Sequence, residues 1–179
     1  MPHRNLTVCL LLAAILTAFV ATSCRRRGPT AQKPAAEADR ALEQPLIYPP
    51  ELSAASTPGQ VAARLIRALD EDDEQTLRGL VAARHEKEQI DALFRKHGRR
   101  ARTTPELAAS LAAAGWRATY AFMEQGATRV EGEEIQGETA IVRASARLLA
   151  GGRPRRLIIY LLREDGLWKV RAGIEAREP

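Results

Sequence analysis

The 179-residue chain is near one domain in length, and its 45% hydrophobic content is enough for a single core. Only 4% of residues are aromatic, so Ala, Leu, Ile and Val must fill that core. The net charge of +5 comes from arginine, since lysine occurs only as Lys33, Lys87, Lys96 and Lys169. From Thr57 onward 21 basic residues stand against 18 acidic ones, a balance that excludes a dedicated nucleic-acid surface.

Residues Leu6 to Cys24 carry no charge and follow a short start containing Arg4. A basic beginning, an apolar middle and small residues before a cut are the layout of an export signal. The small residues end at Ala21-Thr22-Ser23-Cys24, which resembles the lipobox of bacterial lipoproteins. The resemblance implies that residues 1–23 are a lipoprotein signal peptide and that Cys24 is the lipidated residue. It also implies a lipoprotein held on the membrane of the bacterial cell envelope. A second reading stays open. The uncharged run, roughly 19 residues, just spans a bilayer as an uncleaved helix. Arg25-Arg26-Arg27 after it would then keep the C-terminal side in the cytoplasm, as the positive-inside rule requires. With Cys9 removed and Cys24 acylated, the domain has no thiol for a disulfide or a cysteine metal site.

Residues 24–56 are rich in Ala, Pro, Glu and Arg without sustained periodicity, and read as a flexible tether. Leu46-Ile47-Tyr48 is its one apolar island, expected to pack onto the domain. Beside a membrane, Arg25 to Arg27 would attract anionic headgroups.

Thr57-Pro58 opens a helix with a hydroxyl N-cap and Pro at the first helical position. Val61, Leu65 and Leu69, widened by Ala62, Ile66 and Ala68, form its buried stripe, and Arg64 and Arg67 point away. The acidic run Asp70 to Glu74 fails as a calcium loop, because Gln75 stands where an EF-hand needs Gly and the twelfth position lacks Glu. It reads as a solvated turn supplying an N-cap to the next helix. That helix holds Leu77, Leu80 and Val81, then either continues or breaks and restarts through Ile90, Leu93 and Phe94, with Gly98 as its stop. Thr104-Pro105 repeats the opening signal for a helix with Leu107, Ala108, Leu111 and Ala112 on one side, closed by Gly115. From Trp116 to Met123 the spacing fits helix and strand alike, and we favour helix.

Four strands follow. Arg129 to Ile135 is polar, as an edge strand is. Gln136-Gly137 turns the chain into a strand placing Ala140, Val142, Ala144, Ala146 and Leu148 on one face. Leu157 to Leu162 is apolar on both faces, the mark of a central strand. Asp165-Gly166 is a hairpin turn, after which Trp168, Val170, Ala172 and Ile174 alternate with Lys169 and Arg171.

Helices followed by an antiparallel meander ending in Asp165-Gly166-Leu167-Trp168-Lys169-Val170 resemble the nuclear transport factor 2-like superfamily, in particular its small bacterial lipoprotein domains. Gly137 to Val142 in the second strand adds to the likeness, which covers Thr57 to Ile174 and departs from the pattern between Ala82 and Met123. The resemblance implies an α+β domain over residues 57–179, N-terminal helices packed on a curved antiparallel C-terminal sheet. Such a cone-like body can leave a pocket at its open end.

Relatives of this fold include isomerases, dehydratases and cyclases that set Asp, Tyr or His inside the cone, where a dry pocket shifts the pKa. Here the inward strand positions, Ala140, Val142, Ala144, Trp168, Val170 and Ile174, hold no titratable group, and no catalytic residue carries over. From the helical side His85, Asp91, His97 or Tyr120 would be the source of one, each with a plainer structural reading. His85-Glu86-Lys87-Glu88-Gln89 misses the second histidine of a zinc-protease motif. No metal ligand set or cofactor motif is recognised. The clusters Arg99-Arg100-Arg102 and Arg153-Arg155-Arg156 lack aromatics for base stacking and read as solvated loop charge, so no nucleic-acid partner is expected. The favoured function is a membrane-anchored, non-catalytic domain that binds a small apolar ligand or an envelope protein. The alternatives are a cone-pocket enzyme of isomerase or dehydratase type and a cytoplasm-facing anchored protein that binds polyanions.

Overall fold

Thr57 starts the first helix by closing a capping box. Its hydroxyl accepts the N–H of Gln60, and the Gln60 side chain accepts the N–H of Thr57 at 2.8 Å. The computed structural model describes residues 45–100, 103–151 and 154–177. Residues 1–44, with the run read as an export signal and Cys24, lie outside the described residues, as do Arg102 and Arg153. Within them the order is α1 (Pro58–Asp70), α2 (Glu74–Leu80), α3 (Ala83–Lys96), α4 (Pro105–Tyr120), then β1 (Arg129–Gln136), β2 (Thr139–Ala146), β3 (Arg155–Glu164) and β4 (Leu167–Arg177). This is the α+β arrangement expected, helices first and an open antiparallel sheet after them, in the order β1-β2-β3-β4.

The acidic turn does the work assigned to it: Asp73 caps α2 by accepting the N–H of Thr76 at 3.1 Å. The second helical stretch breaks rather than continues. Val81 is extended and bridges Val170, and the Ala82 N–H goes to the Val170 carbonyl at 2.9 Å, so the junction bonds to the free side of β4 instead of propagating a helix. Gly98, at φ +67, ends α3 in a Schellman motif, with Arg99 N–H on the Phe94 carbonyl and Gly98 N–H on the Arg95 carbonyl.

Helix α4 corrects the sequence reading twice. It runs through Gly115 to Tyr120, and its buried face is Ala108, Ala109, Ala112, Ala113, Trp116 and Tyr120. Leu111 is 46% exposed and Leu107 only half-buried, because α4 packs closely by its alanines and turns its leucines outward. In α3, Leu93 and Phe94 are likewise exposed instead of buried.

The sheet follows its alternation more faithfully. β1 is exposed along its whole length and forms an edge. Ala140, Val142, Ala144 and Ala146 are all buried, but β2 stops there, and Leu148 pairs instead with Met123 in an isolated bridge. β3 lies between β2 and β4, with Leu157, Ile159 and Leu161 inward. Asp165 and Gly166, at φ 55 and 76, make the turn into β4. Beyond Val170 the register shifts: Leu161 faces Val170 but Ile159 faces Ile174, so β4 carries two extra residues there. Ala172 is therefore exposed, contrary to the period-two reading, while Ile174 returns to the core.

The apolar island packs onto the body as expected. Leu46, Tyr48 and Leu52 lie against the core, and the Tyr48 hydroxyl donates to the Trp168 carbonyl at 3.0 Å. The packed body thus takes in residues upstream of Thr57. This strap, residues 45–56, also covers Lys169, expected to face water: its ammonium sits 4.4 Å from the Tyr48 ring centre and donates to the Gly79 carbonyl at 2.6 Å. Burial lowers the Lys169 pKa.

Candidate functional site

The inner wall of the sheet is the face that would line any pocket between sheet and helices. Here Ala140, Val142, Ala144, Ala146, Leu157, Ile159, Leu161, Trp168 and Val170 are each 3% exposed or less. They meet Val61, Leu65, Leu69, Leu77, Leu80 and Trp116 from the helices in one continuous core. Contact between α1 and strands β1, β2 and β4 and between α4 and β4 closes this space. The wall is filled by packed side chains, at the density that protein interiors favour.

The four titratable candidates of the helical side do not converge. His85 uses its backbone N–H on the Glu164 carboxylate at 3.2 Å, beside Arg84, which pairs with Glu164 and Asp165. Asp91 is held below the usual carboxylate range, first by Lys87, which bonds it at 2.6 Å, and further by the Thr103 hydroxyl. His97 stands exposed at the end of α3. Tyr120 bonds the Asp70 carboxylate at 3.0 Å and the Thr128 hydroxyl at 2.8 Å, and burial pushes its phenol up to about 12. The same Asp70 oxygen accepts the Gly126 N–H, so this group latches the loop before β1 onto the end of α1. No hydrogen bond or ion pair joins any two of the four among the described residues. Nor is there a group of three or more His, Cys, Asp or Glu placed to hold a metal there.

Two features escaped the sequence reading. Glu86 is 8% exposed, and its carboxylate accepts the Ala172 N–H at 3.0 Å, while the Trp116 indole donates to the Ala172 carbonyl at the same distance. The signal was Ala172-Gly173 interrupting a strand of larger residues. The second is Arg64, expected to point away from the body. Its side chain is 14% exposed and joins Glu51, Glu71 and Asp73, fastening the strap, α1 and the turn before α2.

At the rim of the sheet a depression of about 310 Å³ lies between the start of α1 and the β1–β2 turn, lined by Ser56, Pro58, Ile135, Glu138, Arg163 and Trp168. Arg163 covers the Trp168 ring at 5.0 Å. The anion-attracting start of α1 is already filled, since the Glu133 carboxylate accepts the Gly59 N–H. Glu138, Arg163 and Ile135 are exposed, so the depression is wet and shallow, unlike the dry pockets in which acid–base chemistry is tuned.

No family model matches the chain, and no curated protein matches it. Among solved structures, a DUF4783 family protein from Bacteroides ovatus is similar at 12% identity and a TM-score of 0.43, over 71% of this chain and 98% of that one. A protein named as an NTF2-like transpeptidase from Campylobacter jejuni is similar at 15% identity and a TM-score of 0.42, over 65% of this chain and 98% of its own. Both likenesses are loose. The α+β class rests on the element order and strand register of this chain itself. No helix among the described residues is long and apolar enough to cross a membrane.

Proposed function

We propose that the chain is a membrane-anchored lipoprotein of the bacterial cell envelope, attached through Cys24, whose NTF2-like α+β domain binds an envelope protein and is not an enzyme. The observation that carries the second half is the filled inner wall: side chains from α1, α2 and α4 occupy the space that a small apolar ligand or a reacting molecule would need. What the domain offers a partner is its outer surface. The attachment rests on the sequence, where an uncharged run ends in Ala21-Thr22-Ser23-Cys24.

Radiolabelled palmitate tests the attachment in cells. The whole chain takes up label, globomycin makes the unprocessed form accumulate, and Cys24→Ala abolishes labelling. A chain that stays unlabelled, with a size unaffected by globomycin, overturns lipidation and leaves the uncleaved helix. The binding role is tested by adding 8-anilinonaphthalene-1-sulfonate to the folded chain. A filled interior leaves the dye dark, and strong native-state fluorescence would mean an internal site.

A further inference from the structure

Helix α3 is anchored at one end only. Ala83 and Glu86 are buried at its start, whereas every residue from Ala92 to Arg100 is exposed. The end of α3 therefore stands clear of the core and carries Leu93 and Phe94 in its last turn, whereas α4 stays packed through Ala108, Ala109, Ala112 and Ala113 and turns Leu111 outward. Two large apolar side chains on this projecting helix end, each more than a third exposed, are not explained by the fold.

Their charged surroundings say what they suit. Arg95, Lys96, Arg99 and Arg100 are all exposed, and none forms an ion pair among the described residues. No acidic residue occurs between Asp91 and Glu106, and Asp91 is already bonded to Lys87. The remaining carboxylates of this helix pair, Glu86, Glu88 and Glu106, lie outside that span, and the denser negative charge is in the run Asp70 to Glu74 and along β1 at Glu131, Glu133 and Glu134. A helix end that carries exposed Leu93 and Phe94 next to four exposed cations complements a surface that is anionic outside and apolar beneath, namely a phospholipid bilayer with acidic headgroups. A polyanion such as a nucleic acid would match the cations but give Leu93 and Phe94 nothing to enter.

We infer that the tip of α3 docks onto an anionic lipid surface, Leu93 and Phe94 entering the interface while Arg95, Lys96, Arg99 and Arg100 contact headgroups. The inference rests on the membrane location proposed above but not on acylation, since an uncleaved helix from Leu6 onward would also bring the domain to a bilayer. The 22 residues from Cys24 to Pro45 span at most about 75 Å when fully extended. That is long beside a domain with a radius of gyration of about 14 Å, so the attachment point does not dictate which face meets the lipid. The tip does.

The test uses the full chain carrying Phe94→Trp in vesicles of phosphatidylglycerol with phosphatidylcholine, and in vesicles of phosphatidylcholine alone. Trp116 and Trp168 are 0% and 3% exposed and give a background that lipid quenchers cannot reach. Lipids brominated in the acyl chain should quench the new indole in the anionic vesicles and leave it bright in the neutral ones. Arg95→Glu with Lys96→Glu should lower the tip's partitioning at least about tenfold, since each basic residue near an anionic surface is worth on the order of fivefold. Flotation of the same samples reports attachment separately. A chain that floats with anionic vesicles while the indole stays unquenched overturns tip docking and leaves the anchor standing. Equal quenching in both vesicles, or no response to the charge reversals, also overturns it. So does salt-sensitive binding to heparin without lipid quenching. A chain that floats with neither vesicle overturns tip docking and membrane location together.

Discussion

The Glu86 carboxylate and the Ala172 N–H meet at 3.0 Å where β4 carries its two extra residues. A bulge leaves backbone groups without ladder partners, and here side chains from two helices replace them: Glu86 takes the N–H and the Trp116 indole gives a proton to the carbonyl. Glu86→Ala should therefore destabilise by about 1–2 kcal/mol, the net worth of a part-buried hydrogen bond to a charged acceptor. Glu86→Gln keeps a carbonyl acceptor and should lose less. Urea unfolding decides, and an alanine variant within about 0.5 kcal/mol of the parent would mean that water replaces the carboxylate without loss.

The strap is held by a close approach only glycine permits. A Cβ on Gly79 would stand 1.9 Å from the Ile47 carbonyl oxygen, so Gly79→Ala must displace the strap, with the Tyr48 bond to Trp168 and the cover over Lys169. We expect a loss of about 1–3 kcal/mol and faster proteolysis between Pro45 and Ser56. Gly115 is the control. Nothing lies within 4 Å of a Cβ there, in the interior of α4, so Gly115→Ala should stabilise by about 0.5–1 kcal/mol.

What could be read in advance was whatever local chemistry dictates. Thr57-Pro58, Thr104-Pro105, Gly98 and Asp165-Gly166 each fix a backbone conformation through one side chain or its absence, and each stands where the sequence put it. The alternation of Ala140 to Ala146 was equally legible, because a strand with one buried face has no other solution. Misread positions depend on a distant neighbour. Leu93, Phe94 and Leu111 look like core by spacing, but whether a helix buries its leucines or its alanines depends on how closely the next element approaches. Glu86, Lys169 and Arg64 look like solvated charge until the bulge, the strap and the turn before α2 are brought to them. The site question had the same form: the inward strand residues were readable, but that helices fill the space against them was not.

Two leucines separate core from surface by measurement. Leu161 is 1% exposed on β3, and Leu161→Ala should cost about 2–5 kcal/mol through lost burial and the cavity left behind. Leu111, 46% exposed on α4, should change stability by no more than about 0.5 kcal/mol as Leu111→Ala. Equal losses at the two positions would show that α4 buries its leucines after all.

Asp73 gives the acid limb of stability a specific contributor. Its bond to Thr76, reinforced by the Arg64 guanidinium at 3.2 Å, holds its carboxyl below the usual range. A carboxylate with a lowered folded pKa binds protons more weakly in the folded state than in the unfolded one. Its stabilisation is therefore complete above the unfolded value of about 3.9 and disappears as pH falls through the lower folded value. Asp73→Asn keeps the cap without the charge, so the gap in unfolding free energy between parent and variant should stay constant from pH 7 to about 5 and narrow below about 4. Asp91 and Glu134 are also lowered but share no partner with Asp73 and cancel in the difference, which reports Asp73 together with its effect on Glu51 through their shared Arg64. Asp73→Ala removes the cap as well and should cost about 1 kcal/mol at neutral pH. A parent–asparagine gap that stayed flat down to pH 2 would show that the carboxylate's charge contributes nothing and that the cap alone holds the start of α2.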